Sequence, residues 1–348
     1  MFSDSFFALN QHHFFECEHI TAADKLCKPS LQGVFMTISH SNHTLWQGTL
    51  LIAILAFGLS LSKARATPTC QTSDVRLQVL GSGGPELDDG RASSSYIIWQ
   101  HDKARVLVDV GPGSSVNFGA SGADFSDIKA LLLTHLHVDH SADLPAFIKG
   151  SYFTSRSQDL SIWGPDGNTL MPSTREYVTR LLDANGAFSY LSDYTQANSQ
   201  AAYHIKAHNI SLTPHKQHSV KINDNITLTA SAVHHGPIAA VAWRVDIANC
   251  SITFSGDMSN QYNTLARLAK NSDLLVMHNA VPQNAKGAAI NLHMRPIDIG
   301  KIAKQANAKR VLLSHFMNRT RNDNDATITF IKQNYSGSVD LATDMAVF

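Results

Sequence analysis

The sequence predicts an α/β fold: one domain, residues 73–348, in which two sheets lie sandwiched between helices as a four-layer αββα arrangement. Strand-like and helical runs are interspersed along it, and no linker, low-complexity tract or short-period repeat interrupts them. Four of the strand-like runs deliver His or Asp where they end, as strands do when one sheet edge lines a site. With 43% hydrophobic residues in 348, the chain has enough apolar surface for a core of this size.

Val75–Leu80 alternates as a half-buried strand and is closed by the flexible turn Gly81-Ser82-Gly83-Gly84-Pro85. No helix-opening G-x-G-x-x-G follows. The glycines therefore read as a tight turn, or as backbone able to approach a site closely, and not as a nucleotide fingerprint. Ser95–Trp99 and Arg105–Val110 are the next strands, with Asp109 at the end of the second. Leu131-Leu132-Leu133 is a buried strand end, followed after a polar stretch by a helix over Ser141–Gly150. Asp159–Trp163 reads as a strand, Pro172–Ala184 as a helix, and 185–210 as a polar surface excursion. Strands follow at Ile226–Val233, Ala239–Ile247 and Ser251–Ser255, then a helix at Gln261–Lys270 and a strand at Asp273–Met277. A helix opened by proline at Pro296–Ala306 and a strand at Arg310–Leu313 complete the set.

The chemistry concentrates behind Leu133. His135, His137, Asp139 and His140 place four potential metal ligands within six positions. His135 and His137 are two apart, so on an extended backbone they point to one side. Asp139 and His140 fall where the chain turns into a helix and approach from another direction. Imidazole and carboxylate suit a borderline divalent ion such as zinc. A single H-x-H is more often a polar loop, but this density behind a hydrophobic strand favours a metal site. Three further strand ends present ligands: Val233-His234-His235-Gly236, Phe254-Ser255-Gly256-Asp257 and Leu313-Ser314-His315. One buried strand ending in His is usually structural; four such ends are not explained that way.

These stretches together resemble the metallo-β-lactamase superfamily, whose hallmark H-x-H-x-D-H is here His135-x-His137-x-Asp139-His140. Leu80-Gly81-Ser82-Gly83, Val108-Asp109-Val110-Gly111, Trp243-Arg244 in place of a Tyr-Arg pair, Ser255-Gly256-Asp257 and Leu313-Ser314-His315 are similar to the branch of ribonuclease Z and the metallo-type arylsulfatases. The resemblance implies the metallo-β-lactamase fold and two divalent metal ions, zinc foremost, that activate water against an ester. It implies His135, His137 and His235 on one ion, with His234 as the alternative to His235. Asp139, His140 and His315 fall on the other, and Asp257 bridges the two. Asp109 is implied to orient a ligand imidazole, Asp139 to accept a proton as well, and His293 to act as general acid. His278 is expected to support the ligands, with Asn279 standing where ribonuclease Z proteins carry Glu.

The expected substrate is a small or medium ester, arylsulfatase-like or phosphodiesterase-like, with no stable nucleic-acid partner. Two features carry that expectation. Lys+Arg and Asp+Glu balance at 28 each, so there is no general basic excess. Only Val245–Phe254 separates Arg244 from Ser255, where ribonuclease Z inserts a tRNA-gripping arm. The alternatives are a ribonuclease Z-like nuclease, a lactonase or β-lactamase, a flavodiiron-type oxidoreductase, and a non-catalytic metal-binding protein. His137 speaks against the flavodiiron reading, which favours Glu at that ligand. The full ligand set speaks against a non-catalytic one.

Residues 1–66 read as an N-terminal extension plus a signal peptide. Leu45–Leu61 is largely apolar and runs into Ala64-x-Ala66, a small-residue cleavage pattern. The run is short for a membrane span, which takes about 20 residues. Cleavage after Ala66, export to the periplasm or beyond, and no span in the mature protein are expected, with an uncleaved anchor second. Residues 1–35 read as an upstream start choice, Met36 beginning a signal of ordinary length. Cys17 and Cys27 would be lost, leaving Cys70 and Cys250 free to pair in an oxidising compartment. N-terminal sequencing of exported protein is expected to begin at Thr67; Met1 or Phe2 on a soluble product would contradict the processing.

Overall fold

The computed structural model describes residues 74–348. The expected extension, signal peptide, cleavage site, Cys17, Cys27 and Cys70 lie outside the described residues. Cys250 is disulfide-bonded. Among the described residues no helix is long and apolar enough to cross a membrane.

Two sheets form the centre. The first runs, in space and in sequence, β1 (Val75–Gly81), β2 (Ser95–Gln100), β3 (Lys103–Val110), β4 (Ala130–Leu132), β5 (Leu160–Pro165), β6 (Ile205–Ile210). β1 to β3 form an antiparallel meander, and β3 to β6 are parallel. The second sheet mirrors that plan. β7 (Gln217–Asn223), β8 (Ile226–His235), β9 (Ile238–Ile247) and β10 (Cys250–Phe254) are antiparallel, and β10, β11 (Leu274–His278), β12 (Arg310–Ser314) and β13 (Ser338–Leu341) are parallel.

Strand periodicity sorts the core into two compartments. Val75, Leu77, Val79, Ile98, Val106, Val108 and Leu132 point inward against the second sheet. Ile97, Leu107, Leu131 and Leu133 point outward, under α1 (Ser114–Ala120), α3 (Leu144–Ser151) and α4 (Thr174–Leu182). On the other outer face, α7 (Pro296–Gln305) and α8 (Asn324–Lys332) cover the second sheet through Ile299, Ile302 and Ile331. These are the predicted four layers. The sheets are stitched beside the metal-ligand motif: the Val241 N–H donates to the Thr134 carbonyl at 2.8 Å, and Trp243 Nε1 donates to the Leu133 carbonyl at 2.9 Å.

Several elements differ from the sequence expectation. The helix expected over Ser141–Gly150 is two pieces, α2 (Val138–Ser141) and α3. Asp143 turns aside between them, its N–H donating to the Val110 carbonyl, and Pro145 opens the second piece. Of Gln261–Lys270 only α5 (Leu265–Leu268) is α-helical, since Asn260 and Asn263 take φ of +62° and +51°. The 185–210 excursion ends in the edge strand β6. β7 and β13 have no fully buried residue, so hydrophobic alternation had nothing to mark. α1, α8 and the one-turn α6 (Ala288–Leu292) are short and weakly patterned.

Candidate metal centre

The ligand-bearing loops meet at one edge because they follow the C-terminal ends of neighbouring strands: β4 before His135, β8 at His235, β10 before Asp257, β11 at His278 and β12 before His315. Two groups of donors assemble there: His135, His137, His235 and Asp257; and His140, Asp257, His278 and His315. Asp257 belongs to both. Its Oδ2 lies 3.9, 3.7 and 3.8 Å from the Nε2 atoms of His135, His140 and His235. Its Oδ1 lies 3.4 Å from His315 Nε2 and 2.7 Å from His278 Nδ1. Asp139 stands beside the second group, its Oδ2 3.1 Å from His315 Nε2 and 3.5 Å from His140 Nε2. All of these but His137 are buried.

Asp109 orders the arrangement from behind. It is fully buried at the end of β3, with φ of +54°, a conformation that L-residues adopt at a cost. Its carboxylate accepts from the Thr134 N–H at 2.7 Å, the Thr134 hydroxyl at 2.8 Å and His140 Nδ1 at 2.8 Å. The hydroxyl proton is thus spent on Asp109, and Thr134 Oγ1 accepts from His135 Nδ1 at 3.1 Å. His235 Nδ1 likewise donates to the Leu292 carbonyl at 2.8 Å. In His135 and His235 the outer nitrogen therefore carries the proton and the inner lone pair faces the cluster, and the Asp109 contact turns His140 Nε2 the same way. His137 is turned the other way, its Nδ1 3.0 Å from His135 Nε2 and 3.4 Å from His235 Nε2. His140 Nε2 is buried with no hydrogen-bond partner. Such convergence of inward-facing imidazole nitrogens around buried carboxylates is poor hydrogen bonding but fits divalent metal ions.

Two glycines permit the close packing. Gly256, with φ of +57°, precedes Asp257, and a Cβ on it would come 2.8 Å from Thr134 Cβ. A Cβ on Gly84 would come 2.8 Å from the His315 ring, so the loop after β1 lies against that imidazole.

Every candidate site residue is at this edge. His234, alternate to its neighbour on β8, turns to Ser259 Oγ at 2.7 Å, whereas His235 enters the cluster. His278 holds the Asp257 carboxylate and lies 3.4 Å from the Tyr96 hydroxyl. His293 sits at the rim, its Nδ1 3.9 Å from Asp257 Oδ2. Arg319 and Thr134 escaped the sequence reading. Arg319 is exposed, its Nε donates to the Ala280 carbonyl at 2.6 Å, and its charge reaches His293. Nothing in an Arg four places after His315 marks it from sequence alone.

Charge in the centre follows from burial and proximity. Burial pushes the Asp139 and Asp257 carboxyls up, but the surrounding imidazoles outweigh it and keep both ionised. Burial lowers His140 and His315 too, yet Asp139 and Asp109 for the former, and Asp257 and Asp139 for the latter, raise them above the usual range. Burial dominates at His135, His137 and His235, which are lowered. It also takes His278 down to about 4 and His293 down to about 3.

A family profile described as a beta-lactamase superfamily domain matches residues 104–316. Ribonuclease Z of Mycobacterium sp. (strain KMS) is 29% identical over 262 residues, covering 70% of this chain and 84% of that protein. Ribonuclease Z of Picrophilus torridus is 25% identical, covering 71% and 87%. Among solved structures, the metallo-beta-lactamase fold protein YhfI from Bacillus subtilis superposes with a TM-score of 0.60 at 23% identity, covering 79% of this chain and 98% of that one. The short form of human tRNase Z gives a TM-score of 0.60 at 20% identity, covering 78% and 98%.

These relatives overturn one expectation. A small-molecule ester substrate with no nucleic-acid partner conflicts with relatives that are ribonucleases. The expectation rested on overall charge balance and on the short Arg244–Ser255 connection. The first averages over a whole surface and the second describes a single hairpin; neither reports on the edge where the donors converge.

The low position of His293 has a measurable consequence. Its folded value of about 3 lies below the ordinary 6.5, so the unfolded chain binds the proton first as pH falls. The stability this neutral imidazole contributes is present above 6.5 and is lost as pH falls toward 3. In chelator-treated protein, urea midpoints are expected to fall more between pH 7 and pH 4 for wild type than for His293→Asn. Equal losses would contradict the assigned environment.

Proposed function

The chain belongs to the metallo-β-lactamase superfamily, and from that premise we propose that this metal-dependent hydrolase is a phosphodiesterase of the ribonuclease Z kind, acting on RNA. Asp257 is the observation that carries the reading: one buried carboxylate shared by two imidazole groups is the donor set of a two-ion centre. His135, His137 and His235 would hold one ion, Asp139, His140 and His315 the other, and Asp257 both. Mixed nitrogen and oxygen donors favour zinc. Divalent ions bound there polarise a phosphoryl oxygen and make water nucleophilic at neutral pH.

The protein's own groups complete the reaction. Ionised Asp139 is placed to take the proton shed by the attacking water. His278 Nδ1 donates to Asp257 Oδ1 and fixes the shared carboxylate. His293, on the rim, protonates the leaving oxygen. It is neutral while the site is empty, and a phosphate beside it brings the negative charge that favours the imidazolium. Arg319, anchored on Ala280, has no carboxylate partner among the described residues and is placed to accept a phosphate oxygen. RNA as substrate draws support from the ribonuclease Z relatives, which align over most of their length. β9 and β10 are joined only by Ala248 and Asn249, and the metal-binding donors open on the opposite, metal-side edge that the substrate must reach.

The test compares a 3′-extended RNA, bis(p-nitrophenyl) phosphate, an aryl sulfate and a β-lactam. Hydrolysis of the RNA and the phosphodiester is expected, abolished by chelator and restored by zinc. His293→Ala is expected to lower kcat on RNA by roughly 10²- to 10⁴-fold, and less on the nitrophenyl ester, whose leaving group needs no proton. Aryl sulfate hydrolysis with RNA intact, or activity indifferent to chelator, would contradict the proposal.

A further inference from the structure

Large aliphatic side chains are exposed on four segments of the metal-side edge. Leu87 is fully exposed, Val138 is 70% exposed, Leu170 61% and Ile290 38%. Single exposed aliphatics are ordinary. These four lie on four different segments, each tied to a residue of the centre. The Leu87 loop follows Gly84, which packs on the His315 ring, and its Glu86 accepts from the Asn318 N–H three residues beyond His315. Val138 stands between His137 and Asp139. The Leu170 loop is held by Asn168 Nδ2 donating to the Pro237 carbonyl at 3.0 Å, two residues after His235. Ile290 is on α6, whose Asn291 and Leu292 carbonyls accept from the Gly236 N–H and His235 Nδ1.

The centre is thus polar and densely charged, and its collar is aliphatic. Free positive charge is not what the Leu87 loop offers a polyanion. The Leu87 loop instead carries Glu86 and Asp88, both engaged with Asn318, and its Arg91 is turned to Ser82 and the Ala342 carbonyl. What flanks a phosphodiester in RNA is a flat, uncharged base on either side.

We propose that Leu87, Val138, Leu170 and Ile290 form nucleobase subsites that grip the nucleotides on either side of the scissile phosphate by apolar contact. This rests on the phosphodiesterase reading above. Apolar contact is indifferent to base identity, so the collar selects for the presence of bases, not for sequence. It holds the phosphate over the metal-binding donors without adding positive charge that would compete with the ions.

The experiment compares KM for a 3′-extended RNA with KM for the same RNA carrying abasic nucleotides on both sides of the cleaved bond. Wild type is expected to show a KM about tenfold lower for the intact RNA. The exposed double variant Leu87→Ser/Leu170→Ser is expected to raise KM for intact RNA to nearly that of the abasic one. Circular dichroism confirms that the variant folds, and a third variant, Leu87→Phe/Leu170→Phe, should restore the preference. Equal KM values in wild type, or a preference undiminished in the serine variant, would overturn the collar while leaving the phosphodiesterase reading standing. Cleavage of neither RNA would overturn both. Equal KM values together with wild-type sedimentation on phosphatidylcholine–phosphatidylglycerol vesicles, lost in the serine variant, would make the collar a membrane contact and overturn the nucleobase assignment.

Discussion

One buried carboxylate, Asp109, sets the geometry on which the rest of the centre depends. It contributes no atom to either donor group, yet it spends the protons of the Thr134 amide, the Thr134 hydroxyl and His140 Nδ1. Through Thr134 it also fixes the proton on His135 Nδ1. On the H-x-H-x-D-H segment His135 is thereby presented with a bare inner nitrogen, and His140 is held with its Nε2 turned to the cluster, before any ion arrives. The fold supports this with backbone held in an unusual region at Asp109 and again at His315, φ +54° and +56°. Strain of order 1 to 3 kcal/mol per residue persists only where surrounding contacts over-determine it. At Asp109 those contacts are the ligand-orienting hydrogen bonds themselves.

Preorganisation of this kind has an electrostatic counterpart. A cluster of six imidazoles would repel itself if all were protonated, and two buried carboxylates would repel each other without counter-charge. The structure resolves both by dividing the histidines. Those facing Asp139 and Asp257 most directly, His140 and His315, are raised, and the others are lowered by burial. Divalent ions held by these donors would take the place of the protons on the raised pair and supply the charge that both carboxylates require. His293, left outside the donor groups and lowered to about 3, is free to respond to the charge of a substrate.

Much of this was legible in the sequence because the site is built from strand ends. Each ligand stands where an apolar run stops: Leu133 before His135, Val233 before His235, Phe254 before Asp257 and Leu313 before His315. The inner strands are short apolar runs, most of them buried on both faces, and the sequence expectation falls within one or two residues of each. What escaped lies where hydrophobic pattern carries no information. β7 is an edge strand with exposed and half-buried positions only. The break between α2 and α3 is set by a tertiary hydrogen bond from Asp143 to Val110, which leaves no local mark. Thr134 matters through three contacts made across the fold, and Arg319 through its closeness to His293. The substrate expectation failed for a related reason: net charge and the length of one hairpin are global or distant properties that carry no information about the edge where the donors converge.

The central claim is that Asp257 joins two metal ions in one hydrolytic centre. Anomalous diffraction from zinc-loaded crystals, collected above and below the zinc absorption edge, tests it most directly. The account predicts two peaks flanking the Asp257 carboxylate, one among His135, His137 and His235, the other beside Asp139, His140 and His315. A single peak, or two peaks of which one makes no contact with Asp257, would contradict it.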